Sequence, residues 1–278
     1  MITAHRNGHT VSVLLAARSI NPLSRLFQRE LAALLDQLES QRARLAAVII
    51  GFDAETAGRG HELEHPITPA QAVDCLRMLD DYNALLHRLE TLGVPVTATL
   101  GGDISGHALG LALACHRRIA MHDVRLSMPQ VQSGLAPVAG EIARTARLAG
   151  VQAAMPLLMD GATLNASQAR RAGLLHAVAA SDAELAAAVL DKTPMMQPWQ
   201  AKGYQLPGGA LDTPPIRALL QAAPARLRAS AKPSAAEAVL CAMVEGLQVD
   251  FDNALKIESR YFCQTAIRQP LRKGSFSL

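Results

Sequence analysis

Three stretches of the chain place proton-carrying side chains beside glycine-punctuated turns. In GGDISGHALGLALAC (101–115), Asp103 and His107 lie on a turn that feeds a helix of small residues. In LSMPQVQSGLAPVAGEIARTARLAG (126–150), Gln130 and Glu141 bracket a second strand–turn–helix unit, and the polar loop from Asp53 to Pro69 adds His61 and Glu62. Imidazole and carboxylate groups are the usual carriers of protons in general acid–base chemistry. Each candidate also has a structural reading. Asp103 can cap a turn, Glu141 suits a helix N-terminus, and His61 with Glu62 can be a solvated loop. His116 and His122 flank a strand and read as surface or structural groups. Arg59, Arg144 and Arg147 either meet ligand phosphates or solvate helix ends. Cys75, Cys115, Cys241 and Cys263 have no CxxC spacing and sit in apolar surroundings, so reduced buried thiols are expected, with neither metal nor disulfide.

The elements that must carry these residues follow from pattern. Of 278 residues, 50% are hydrophobic, 18% charged and only 3% aromatic, so the core must be aliphatic, which suits helices packed on short strands. Thr10 to Ala16 reads as a strand after the Asn7-Gly8 turn. Asn21-Pro22 is then expected to open a helix with Leu23, Leu26, Phe27, Leu31, Leu34, Leu35 and Leu38 as a core stripe. LAAVIIGF (45–52) is a buried strand, Thr68 caps a long helix from Pro69 to near Gly93, and PVTATL (95–100) is the next strand. Strand, helix, strand, helix, strand predicts a sheet with crossover helices, with chemistry at strand ends. A further strand at 117–120, a helix opening near Ala139, a short helix started by Asn165 or Ser167, and strand-like 174–178 complete a core over 1–195. Beyond it, 196–278 reads as an irregular connector followed by helices at 216–230 and across much of 234–268.

Several classes are excluded by composition. Net charge is +3 with no block of like charges, so no nucleic-acid or polybasic membrane surface is expected. Apolar runs such as 45–52 are far shorter than the roughly 20 residues of a membrane span, and no signal-peptide pattern is present, so a cytoplasmic protein is expected.

Residues 94–150, from VPVTATLGGDISGHALG to IARTARLAG, resemble the signature half of the enoyl-CoA hydratase/isomerase (crotonase) family. That pattern is a strand, a Gly-Gly-Gly helix opening, a Pro-Glu turn and a glycine-rich Pro-Gly turn. ETAGRGHEL (55–63) is similar to the family's Ala-Gly-x-Asp-Leu loop, and 161–178 to its Ser-Ala-x-x-Ala segment. QPW (197–199), KGY (202–204), PGG (207–209) and VEGLQVDFDNALKIESRYF (244–262) resemble the segment after the hydratase module in multifunctional fatty-acid β-oxidation α-subunits. With no Gly-x-Gly-x-x-Gly fingerprint, a free-standing hydratase-like module is expected.

The resemblance implies an α/β, crotonase-like spiral of ββα units with a C-terminal helical region. It also implies an acyl-CoA thioester as ligand, no permanently bound cofactor, and a homotrimer or dimer of trimers. By position, an oxyanion hole would use the backbone N–H groups of Arg59 and His107. Ala57, Gly58, Gly106, Met128, Val138 and Glu141 would line the substrate site. His107 stands where the family keeps glycine, and is the best single candidate for catalysis. At the two positions of the family's acid–base glutamates this chain has Gly110 and Gln130, neither of which transfers a proton, so ordinary hydration is expected to be negligible. The alternatives are a different CoA-thioester reaction assisted by His107, or a non-catalytic assembly or regulatory subunit of a fatty-acid oxidation complex.

Overall fold

A computed structural model of the chain describes residues 2–53, 63, 67–189 and 195–269. Its main sheet has six strands in the order β1 (Ile2–Asn7), β2 (Thr10–Leu15), β3 (Ala47–Phe52), β4 (Val96–Leu100), β6 (Arg117–Met121) and β9 (Ala177–Ala179). β1 and β2 form an antiparallel hairpin, and every later pair in this sheet is parallel. A second sheet joins β5 (Ile104–Ser105), β7 (Arg125–Ser127) and β8 (Thr163–Asn165). Parallel neighbours require crossovers, supplied by α1 (Arg25–Ser40), α2 (Ala72–Glu90), α3 (Gly106–Ala114), α4 (Glu141–Met159) and α5 (Ala166–Arg171). The short α6 (Asp182–Val189) follows, and α7 (Pro214–Ala229), α8 (Pro233–Gly246) and α9 (Phe251–Ile267) complete the helical region. The α/β class and the C-terminal helices are therefore as the sequence predicts.

Local chemistry explains the element ends. Thr68 and Gln71 form a reciprocal capping box ahead of α2, and Asn165 with Gln168 does the same for α5. The start of α1 corrects expectation: Ser24, not Asn21, is the N-cap, accepting from the Phe27 N–H at 3.3 Å, while Asn21 closes a turn on Leu23. The stripe of α1 is core at Phe27, Leu31, Leu34, Leu35 and Leu38, but Leu26 is 65% exposed because it falls on the opposite face. β1 was not anticipated. Its side chains are almost all exposed, so it lacks the alternation that marks a half-buried strand, and its pairing to β2 holds it in place.

Two buried polar side chains tie the layers around α3. The His116 ring accepts the Val96 N–H at Nδ1 (3.0 Å) and donates from Nε2 to the Glu90 carbonyl (2.9 Å), linking β4 to the end of α2. Burial holds its pKa below the usual histidine range, which suits this neutral, one-donor role. Arg118 donates to the carbonyls of Leu113, Cys115 and Leu174, so a cation sits at the negative end of the α3 dipole. Those contacts anchor one end of α3 and leave its other end to face the site.

Candidate functional site

The site is built from α3 and from the turn that leads into α4. Ser105 occupies the N-cap position of α3 without making a side-chain cap, so the first-turn N–H groups, His107 among them, are not consumed by it. Gly110 lies one turn further along α3, facing α4. A Cβ placed there would stand 2.6 Å from Cγ and 3.0 Å from Oε1 of Glu141. The glycine therefore vacates space that the Glu141 side chain fills.

Glu141 is the first residue of α4, 1% exposed, and enters after Gly140 in the left-handed region (φ 82°). Any side chain at Gly140 would run into the Arg144 guanidinium, so the turn needs glycine twice over. Three donors meet the Glu141 carboxylate. His107 Nδ1 lies 2.6 Å from Oε1, while the Gln130 side-chain amide and the Val138 N–H (3.3 Å) donate to Oε2. With the Nδ1 proton committed to Glu141, the neutral imidazole has its lone pair at Nε2. Among the described residues Nε2 makes no hydrogen bond, and 11% of the His107 side chain remains accessible. The arrangement is an imidazole oriented by a sealed carboxylate, able to take up a proton at Nε2.

Behind this pair lies a second buried layer. Glu90 and Arg144 form an ion pair at 2.8 Å, each side chain 1% exposed; Arg144 also donates to the Ala139 carbonyl and lies over the Phe251 ring. Arg147 donates to the carbonyls of Ala143, Gly246 and Val249. These contacts correct the expectation that Arg144 and Arg147 meet phosphates or solvate helix ends: both are buried, and both fasten α4 to its neighbours. Glu258, from α9, accepts the Ala143 N–H at 2.9 Å, so two glutamates share the N-terminus of α4.

Desolvation, reinforced by the nearby Glu141 charge, pushes the Glu258 carboxyl up to about 8. A carboxyl whose folded pKa lies above its unfolded value holds its proton longer in the folded state. Stability is then highest below pH ~4.5 and declines until pH passes about 8. Glu258→Gln is expected to abolish that decline, raising stability above pH 8 by several kcal/mol, on the scale of about 1.4 kcal/mol per pKa unit. Below pH 5 the two proteins should agree within about 1 kcal/mol. Parallel urea titrations across pH 5–9 check this, and equal pH slopes for both proteins would refute it.

The family model described as enoyl-CoA hydratase/isomerase matches residues 6–203. The chain belongs to the enoyl-CoA hydratase/isomerase family. Solved structures share its fold. An enoyl-CoA hydratase from Bacillus anthracis is 22% identical, covering 94% of this chain and 89% of that one, with a TM-score of 0.57. A hydratase/isomerase family protein from Silicibacter pomeroyi is 19% identical over 95% and 99%, with a TM-score of 0.59. DspI of Pseudomonas aeruginosa is 24% identical over 68% and 77%, with a TM-score of 0.58.

Within this hydratase/isomerase family member, the residues singled out from sequence divide into three groups. Brought together are His107, Gly110, Gln130, Val138 and Glu141, with Gly106 opening α3 (φ 52°). Set apart is Asp103, which accepts the Arg125 N–H at 2.8 Å and pairs with the Arg125 guanidinium at 2.9 Å, a contact to β7 and not the local turn cap its sequence suggested. Met128 is fully buried, its sulfur accepting from the Thr145 hydroxyl at 3.7 Å. Ala57, Gly58 and Arg59, with His61 and Glu62, lie outside the described residues. Sequence reasoning passed over Glu258, for which a lone glutamate among the apolar positions of a helix, recurring at 254, 255, 258 and 262, was the available signal. Among the described residues no cluster of three or more His, Cys, Asp or Glu side chains could hold a metal, and no helix is long and apolar enough to cross a membrane.

Proposed function

We propose that this chain binds an acyl-CoA thioester at the N-terminus of α3 and moves a single proton there through His107, backed by Glu141. The observation that carries the reading is the carboxylate of Glu141, seated in the space left by Gly110 and hydrogen-bonded to the His107 ring. Uncapped N–H groups at a helix N-terminus suit an anionic oxygen, so the His107 amide is assigned to the thioester carbonyl, with the Arg59 amide as its partner. One base beside an enolisable thioester supports chemistry at the carbon next to the carbonyl. Hydration of an enoyl group needs a second proton carrier, and the Gln130 amide cannot serve as one. The ligand class is thus a CoA thioester, and the reaction class is one that places negative charge on the thioester oxygen: an enolate formed by removal of an α-proton or by loss of CO2, or the tetrahedral oxyanion formed when water adds in thioester hydrolysis.

Calorimetric titration with butyryl-CoA and CoA, followed by crotonyl-CoA turnover, tests this. Binding of the thioester in preference to free CoA is expected, with hydration close to the uncatalysed rate. No thioester binding at saturating protein, or rapid crotonyl-CoA hydration that survives Glu141→Gln, would overturn it.

A further inference from the structure

Away from this site, α2 and α9 each bury one cysteine at the same point of contact. Cys75 is 5% exposed and Cys263 4% exposed, and their Sγ atoms lie 3.1 Å apart although 188 residues separate them in sequence. Cys115 and Cys241, the other two cysteines, make no such pair.

We propose that Cys75 and Cys263 are a paired oxidation site, two thiols that close to a disulfide and fasten α9 to α2. A covalent S–S bond is about 2.05 Å long, so closure needs roughly 1 Å of further approach, within the reach of small rotations of two side chains. The two thiols share an S–H···S hydrogen bond. With Cys263 as the nucleophile, Cys75 is the residue that resolves it, and exchanging the two roles gives the same product. With a hydroperoxide as oxidant, the Cys263 thiolate attacks the terminal oxygen, the O–O bond breaks, and the alkoxide or hydroxide leaves with a proton. Cys75 then attacks the sulfenic sulfur, forming the S–S bond and releasing water. Two thiols and one hydroperoxide thus give one disulfide, one alcohol (or water) and one water. Burial restricts the oxidant to small molecules and leaves the partner thiol as the nearest trap for the sulfenic acid.

The position of α9 connects the crosslink to the turn between the short 3₁₀ helix Pro129–Ser133 and α4. Glu258 holds the Ala143 N–H, and the Thr265 hydroxyl accepts the Ala136 N–H at 3.0 Å, so α9 grips both sides of the segment bearing Val138 and Glu141. Fastening α9 restrains that segment. The crosslink itself does not depend on the acyl-CoA reading, and its test uses no CoA compound.

The full chain, reduced and freed of reductant, is treated with hydrogen peroxide, blocked with iodoacetamide under denaturing conditions, and weighed intact. The expected product carries two alkyl groups rather than four, yields a peptide pair joining Cys75 to Cys263, and reverts with a phosphine reductant. Its melting temperature should rise by roughly 5–10 °C, because closing so long a loop restricts the unfolded chain. Cys75→Ser and Cys263→Ser should each lose the crosslink, and Cys115→Ser should keep it. Four alkylated cysteines after oxidation, or sulfinic acid on Cys263 with no joined peptides, would overturn the proposal, and both outcomes are read on the unmutated chain.

Discussion

Glu141→Gln is expected to slow exchange of the α-protons of butyryl-CoA with D2O by about 10²–10⁴-fold, with thioester affinity changed by less than about threefold. The substitution keeps the shape of the side chain, yet it disables the pair. A carboxylate accepts from both His107 Nδ1–H and the Gln130 amide. A carboxamide has one oxygen to offer, so its NH2 must face one of those partners. Facing His107, it donates to Nδ1 and drives the ring proton to Nε2, where the lone pair is needed. Facing the Gln130 side, it sets a donor against the Val138 N–H, a backbone group that cannot turn away, in a site that is 1% exposed, at the cost of an unsatisfied group. His107→Ala should lose a similar factor. The double variant should be little worse than either single one, because the two side chains act as one unit. Exchange followed by proton NMR decides the matter: a wild-type rate that Glu141→Gln leaves intact, or no wild-type exchange above buffer, excludes the pair as the base.

Placing a glutamate at position 110 should damage the protein. In Gly110→Glu, the new Cβ would meet Glu141 Cγ at 2.6 Å, and Cγ belongs to a side chain pinned by three hydrogen bonds, so it cannot swing aside cheaply. Overpacking of this kind costs about 1–3 kcal/mol, and a second carboxylate buried beside the first without a cation adds about 3 kcal/mol or more. A fall in melting temperature of roughly 10 °C is expected. The swapped variant Gly110→Glu/Glu141→Gly removes both the overlap and the like charge, and should recover more than half of the loss. A coupling energy of about 2–3 kcal/mol from this double-mutant cycle is the predicted signature. Additive effects of the two changes, measured by urea unfolding, would mean that Gly110 and Glu141 are not fitted to each other.

Much of the architecture was legible in the residues themselves. β3 and β4 announce themselves as short aliphatic runs, and the ends of α2 and α5 are written in Thr68–Gln71 and Asn165–Gln168, because capping is a contact between residues three apart. What failed was whatever depended on a partner far along the chain. β1 has an ordinary polar pattern and is a strand by virtue of β2; Arg144 and Arg147 read as surface cations and are buried because Glu90 and the carbonyls at 246 and 249 receive them.

The site divides along the same line. The types of residue at 110 and 130 determined by themselves that neither position carries a proton, since glycine and a carboxamide lack a titratable group whatever surrounds them. Only the tertiary structure decided which carboxylate meets them. Glu141 lies 31 residues after Gly110, and its carboxylate reaches His107 because α4 starts where α3 is bare of a side chain. Local preference follows from neighbours within a few bonds, whereas proximity between two helices is a property of how they pack.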